Sequence, residues 1–126
     1  PVGPVIPCNT ATGYSGGPAF PDVQVIELGA TTGVVEVTCE AYGVPDKFIV
    51  EFDGVEVINT GYRGLTSLQG QLNTALADKG LPPETITSPG FVVATFNKTT
   101  STTTAILKVF APLSGTAWRV TAGCPV

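Results

Sequence analysis

Apolar and polar residues alternate with a period of two over several short stretches of this chain. Within residues 34–42, Val35, Val37, Cys39 and Ala41 fall on one phase, and Glu36, Thr38 and Glu40 on the other. That is the pattern of an antiparallel strand with one buried face. Residues 23–28, 47–52, 55–58, 91–97, 104–111 and 116–122 also read as strands. Asp53-Gly54 separates two of them. This dipeptide predicts a tight hairpin, because both central residues of a type I′ turn need positive φ.

One stretch changes period. Leu65, Leu68, Leu72, Ala75 and Leu76 recur at spacings of three and four and predict a short helix. Thr66 with Gln69 reads as a capping box at its start. Gly80 is placed to stop it, and Pro82-Pro83 prevent its resumption. Strands, one helix and strands again predict an all-β fold: an antiparallel β-sandwich, jelly-roll or immunoglobulin-like, with one short helix in a connection.

Ahead of the patterned region lies a segment rich in proline and glycine. Pro1, Pro4, Pro7, Pro18 and Pro21, with Gly13, Gly16 and Gly17, argue against regular pairing. Residues 1–22 are therefore expected to form an irregular arm and residues 23–126 the sandwich domain. Pro1, Val2, Val5 and Ile6 give the arm an apolar tip suited to a neighbouring subunit. The alternative is an arm packed on its own domain.

Composition narrows the class. The 126 residues suit one domain, and charged residues are only 13% against a usual value of about 25%. The chain is too apolar for disorder, and no apolar run reaches the ~18 residues of a membrane span. Eighteen threonines favour pleated, half-exposed surfaces. Six basic residues against ten acidic ones give net −4, and the six lie far apart in sequence. That spacing argues against a phosphate-tracking surface and nucleic-acid binding. Histidine is absent, which excludes Ser-His-Asp and Cys-His catalysis and every histidine-containing zinc site. Methionine is absent too and Pro1 comes first. This reads as a mature start after removal of an initiator Met, or as a fragment or signal-cleaved chain.

Three cysteines leave an odd one. Cys39 sits on the apolar phase of its strand. Cys8 and Cys124 each lie beside a proline near a terminus. A Cys8–Cys124 disulfide with Cys39 buried and free is the expectation. The alternatives are three free thiols or a bridge that uses Cys39.

Few residues carry chemistry. Asp46, Lys47, Glu51, Asp53 and Glu56, with Arg63 downstream, form the densest polar cluster. Asp46 and Asp53 are the carboxylates of a calcium alternative, but the EF-hand spacing is missing and a solvated face explains them. Carboxylates on the polar phase of strands give no glycosidase pair, so no catalytic residue and no cofactor are expected. Asn97-Lys98-Thr99 is a glycosylation sequon. Tyr14, Tyr42, Tyr62 and Trp118 could stack on a sugar, although Trp118 also suits a core. Gly61 and Gly64 bracket a turn expected to expose Tyr62 and Arg63 as an interface. The competing reading folds Tyr62 over the helix and pairs Arg63 with Asp46.

Several short motifs follow one another along the chain: Pro45-Asp46-Lys47-Phe48, Asn59-Thr60-Gly61-Tyr62-Arg63-Gly64, Phe96-Asn97-Lys98-Thr99-Thr100, Ala111-Pro112-Leu113-Ser114-Gly115-Thr116-Ala117-Trp118 and Cys124-Pro125. Over about residues 20–125 the chain resembles a small β-sandwich module of tailed-bacteriophage virion structural proteins. The resemblance implies a setting rather than a catalytic site: a non-enzymatic virion component, either capsid decoration or a short fibre-like part. Its partners would be copies of itself, other virion proteins and a host-surface glycan. A self-assembling extracellular filament subunit that exchanges its N-terminal arm, and a carbohydrate-binding module using Tyr62 and Trp118, are the rival readings.

Overall fold

The structure is a computed structural model and describes residues 4–126. Its strands are β1 (Val5–Pro7), β2 (Ala11–Gly16), β3 (Ala19–Glu27), β4 (Gly33–Glu40), β5 (Asp46–Phe52), β6 (Val55–Arg63), β7 (Ile86–Thr87), β8 (Phe91–Lys98), β9 (Thr104–Ala111) and β10 (Thr116–Ala122). The helix α1 (Gln69–Asp78) follows a single 3₁₀ turn, Thr66–Leu68. A six-stranded sheet in the order β1-β3-β9-β5-β6-β7 faces a four-stranded sheet in the order β2-β10-β4-β8. The β-sandwich with one short helix is thus the observed architecture. Most pairs are antiparallel, but β1 joins β3 and β7 joins β6 in parallel.

Alternation along the strands builds the core. Val35, Val37 and Cys39 of β4, Phe48 and Val50 of β5, Leu107 and Val109 of β9, and Trp118 and Val120 of β10 are buried between the sheets. Phe48 and Trp118 meet edge to face across the layers, with centroids 6.4 Å apart and planes at 77°. The β5–β6 hairpin turns as its sequence requires: Asp53 and Gly54 have φ of 51° and 75°, and Phe52 pairs with Val55.

A third layer covers the outer face of the six-stranded sheet. Leu72 and Leu76 of α1 are fully buried with Tyr62 and Ile86, against Phe20, Leu68 and Phe110. The helix stops as expected. Leu81 N–H donates to Leu76 C=O and Gly80 N–H to Ala77 C=O, each at 2.9 Å, with Gly80 at φ 75°. This is a Schellman motif, which favours glycine at that position. The start differs from expectation. The N-cap residue of the 3₁₀ turn is Leu65, no side chain caps either helical segment, and Gln69 does other work. Its amide nitrogen donates to Glu84 C=O at 2.7 Å, and its amide oxygen accepts from Ile86 N–H at 2.8 Å. Gln69 therefore pins α1 to the segment leading into β7. Among the described residues, no helix is long and apolar enough to cross a membrane.

The N-terminal segment is the main correction to the sequence reading. Residues 5–22 are not an irregular arm: β1, β2 and the first part of β3 lie within them. β3 runs through the expected boundary at residue 22. Proline and glycine are tolerated because β1 and β2 are sheet edges, where one side of the strand needs no partner. Val5 is exposed and Ile6 partly buried, and both pair in register with β3. The strand proposed for exchange between subunits thus completes the chain's own sheet. Pro1 and Val2 lie outside the described residues.

Cys8 and Cys124 are joined by a disulfide, 116 residues apart in sequence. Asn9 supports the junction: its N–H donates to Ala122 C=O at 2.6 Å and its side-chain oxygen accepts from Cys124 N–H at 3.2 Å. Cys39 is a buried free thiol. Burial pushes it up to about 12, which makes it a poor nucleophile.

Candidate functional site

The sequence-derived polar cluster does not assemble. Asp46 begins β5 and Asp53 follows its end, so the two carboxylates sit at opposite ends of one strand and cannot share a calcium ion. Asp46 is fully buried between the sheets. Thr116 donates its hydroxyl to the Asp46 carboxyl group, 2.7 Å from one oxygen and 2.9 Å from the other. Burial raises Asp46 to about 7, and the Thr116 hydrogen bond opposes that only in part. Asp53 is exposed and accepts from Thr100 and Thr102 at 2.6 Å each. These hydroxyls lower its pKa, with the Lys98 charge as a smaller contribution. Asp53 thus ties the β5–β6 turn to the loop between β8 and β9.

The exposed turn at Tyr62 and Arg63 is also absent. β6 continues to Arg63, and Tyr62 is fully buried beneath α1. The expected interface residue is therefore a plug. Burial raises its pKa, assisted by the negative charges of Glu84 and Asp46. Lys47 Nζ lies 5.0 Å from its ring centroid and is ion-paired with Glu84 at 3.1 Å. Arg63 does not pair with Asp46, although their Cα atoms are in register. Its Nε and Nη2 donate to Pro89 C=O and Phe91 C=O, at 3.1 and 3.4 Å. The Tyr62 hydroxyl is buried without a hydrogen-bond partner among the described residues. Tyr62→Phe should therefore leave chemical-denaturation stability within about 1 kcal/mol of wild type, or raise it. A larger loss would show that the hydroxyl is bonded.

The expected sugar-stacking pair fails for the same reason. Tyr62 is fully buried and Trp118 is 2% exposed, so neither offers a ring face. The remaining two aromatics separate. Tyr14 pairs with Trp118 in register and shares its phase, at the rim of the inter-sheet layer. Tyr42 follows Ala41, a core residue, and takes the outward phase of Glu40.

That outward face of the four-stranded sheet carries a shallow surface site. A groove of about 630 Å³ opens there, lined by residues 11–15 of β2, residues 117–119 of β10, and Tyr42. Ala11, Gly13 and Ser15 pair with Thr121, Arg119 and Ala117, so the floor is made largely of small side chains. At Gly13 a Cβ would lie 2.7 Å from the Trp118 carbonyl oxygen, so that floor excludes side chains. Arg119 pairs in register with Glu40. Arg119 is exposed, and among the described residues no carboxylate reaches it to form an ion pair.

Tyr42 is set in place by its backbone. Its φ is 57°, an uncommon conformation for a bulky residue. Its N–H donates to a Glu40 carboxylate oxygen at 2.9 Å. Ala41 N–H donates to Gly90 C=O at 3.0 Å, and a Cβ at residue 90 would collide with the Tyr42 carbonyl oxygen. These contacts hold the ring 53% exposed at the wall of the groove. Tyr42 was visible in the sequence as one of several aromatics. Arg119 carried no sequence signal, because its role depends on which strands become neighbours.

No family model matches the chain, and no curated protein matches it. Solved structures with a related fold do. The pre-peptidase C-terminal domain of a collagenase from Bacillus anthracis superposes with TM-score 0.56 at 11% identity, covering 96% of this chain and 94% of that one. CorA, a surface-associated copper-binding protein of Methylomicrobium album BG8, gives 0.55 at 12% identity, covering 96% and 98%. A carbohydrate-binding module of Clostridium stercorarium in complex with cellobiose gives 0.37 at 14% identity, covering 90% and 73%. At these identities the first two likenesses are of fold alone, and the third is too loose to argue from. The first two agree with the β-sandwich fold of this chain.

Proposed function

We propose that this chain is a non-enzymatic binding module on the surface of a bacteriophage virion, and that its open-face groove holds a saccharide of the host surface. The observation that carries the ligand class is the half-exposed Tyr42 ring, fixed in a left-handed backbone conformation beside the unpaired Arg119, above a floor of small residues. A pyranose presents an apolar C–H face and a rim of hydroxyls. The tyrosine ring suits the face, while the Arg119 fork and the Glu40 carboxylate suit the rim. The order of short motifs from Pro45 to Pro125 supports the virion setting. A disulfide that closes nearly the whole chain supports a protein that works outside a reducing cytosol.

Oligosaccharide arrays followed by titration calorimetry test the ligand. Tyr42→Ala and Arg119→Ala should each weaken binding at least about tenfold, since a hydrogen bond to a charged group nets about 1.5–3 kcal/mol. Both side chains are exposed, so melting should not move. An array with no hits, or binding indifferent to both substitutions, would remove the groove reading. Peptide mass spectrometry of purified particles tests the setting independently.

A further inference from the structure

The sandwich has four sheet edges, and three of them are poor templates for another strand. β1 has three residues and contains Pro7, and β7 has two residues. β2 contains Gly13 and Gly16 and is followed by Pro18. β8 is different. It pairs with β4 over eight consecutive residues with no break in register, and it lacks proline and glycine. Its only charged residue, Lys98, is 1% exposed and donates to Thr100 C=O at 2.6 Å. Proteins usually protect edges with short strands, prolines, bulges or exposed charges. β8 has none of these.

Both ends of β8 are fixed to the opposite sheet. Arg63 of β6 holds the Pro89 and Phe91 carbonyls, and Asp53, just ahead of β6, holds Thr100 and Thr102. Since Arg63 reaches the Phe91 carbonyl, that group points away from β4. In an antiparallel ladder the main-chain groups alternate in direction, so those of Val93, Thr95 and Asn97 point the same way. Among the described residues, only β4 hydrogen-bonds the backbone of residues 92–97. Phe91 and Val93 are also 47% and 45% exposed beside this edge.

We propose that β8 is the self-association edge of this protein, where a second copy adds its own β8 antiparallel across a two-fold axis at Thr95. The free run admits a second copy of itself without repulsion. Residues 93–97 are centred on Thr95. A two-fold axis there sets Thr95 against the partner's Thr95 and Val93 against the partner's Asn97. Every outward main-chain group of the run then finds its counterpart. The run carries no charge, so the seam brings no like charges together although each chain carries net −4. The two four-stranded sheets become one continuous sheet, and the strand ends are already ordered, which lowers the entropy lost on association.

Multi-angle light scattering of the purified full chain should give a dimer at twice 12.9 kDa. Thr95→Pro removes an outward N–H that the monomer does not use, and Thr95→Lys adds a charge at the axis. Both should yield monomers with an unchanged far-ultraviolet spectrum, and hydrogen exchange at the Val93 and Asn97 amides, which both variants keep, should accelerate at least about tenfold. If the proline variant does not fold, the lysine variant and the exchange pattern of the wild type carry the test. A wild type that is monomeric at every concentration, or dimers that survive Thr95→Lys, would overturn the proposal.

Discussion

Asp46→Asn should raise the stability of this protein at neutral and alkaline pH and flatten its decline above pH 4. Asp46 is fully buried, with Thr116 as its hydrogen-bonding partner. Its pKa is raised from 3.8 to about 7. Between these values the native state holds a proton that the unfolded state has released. Linkage then makes stability fall as pH rises through this window, by about 1.4 kcal/mol per pH unit. Below the window both states are protonated and the contribution is complete; above it both are ionised and the contribution is lost. The total is on the order of 4 kcal/mol. Asparagine keeps an oxygen to accept from Thr116 and carries no ionisable group. Urea titrations at several pH values should show the wild type weakening from about pH 4 to 7 and the variant nearly level. Parallel curves for the two proteins would mean that Asp46 ionises at its ordinary value.

Reducing the Cys8–Cys124 bridge should cost about as much. The bridge closes a loop with a sequence separation of 116 residues, for which the chain-entropy model gives roughly 4–5 kcal/mol. For a domain of this size that corresponds to a fall of roughly 15 °C in Tm. Its structural effect should be local first. The bridge joins the β1–β2 connection to the tail after β10, and both Asn9 hydrogen bonds lie at this junction. The paired Cys8→Ser, Cys124→Ser variant should therefore lose hydrogen-exchange protection in β1 and β2 before the core strands open. An unchanged melting temperature under reduction would show that the termini are held by packing alone. Cys39 should remain unmodified by alkylating reagents until the fold opens, because it is buried at β4.

The two effects bear on function in different ways. The disulfide anchors the segment that leads into β2, part of the floor of the Tyr42–Arg119 groove. Reduction should thus weaken ligand binding as well as stability. Asp46 lies between the sheets and away from the groove, so Asp46→Asn should change stability without changing affinity. Binding titrations with both variants separate the contributions.

The sequence by itself determined the sandwich, the β5–β6 hairpin, and the position and stop of the helix. Each rests on local chemistry: a period of two with one buried face, two residues with positive φ at Asp53 and Gly54, and a glycine in the left-handed region after the last helical turn. The Cys8–Cys124 pairing was legible for a related reason, since both cysteines flank the patterned region. Tertiary structure alone decided the rest. The prolines and glycines of residues 5–22 disfavour a strand in isolation, yet an edge position next to β3 or β10 supplies half a ladder and requires no more. Gly61 and Gly64 look like a turn, but continued pairing with β5 carries β6 on to Arg63 and places Tyr62 under Leu72 and Leu76. Asp46 reads as a polar surface residue until β10 brings Thr116 over it. The groove needed the same step. Tyr42 and Arg119 become neighbours only because β10 inserts between β2 and β4, and strand order is set by long-range packing that a local pattern does not encode.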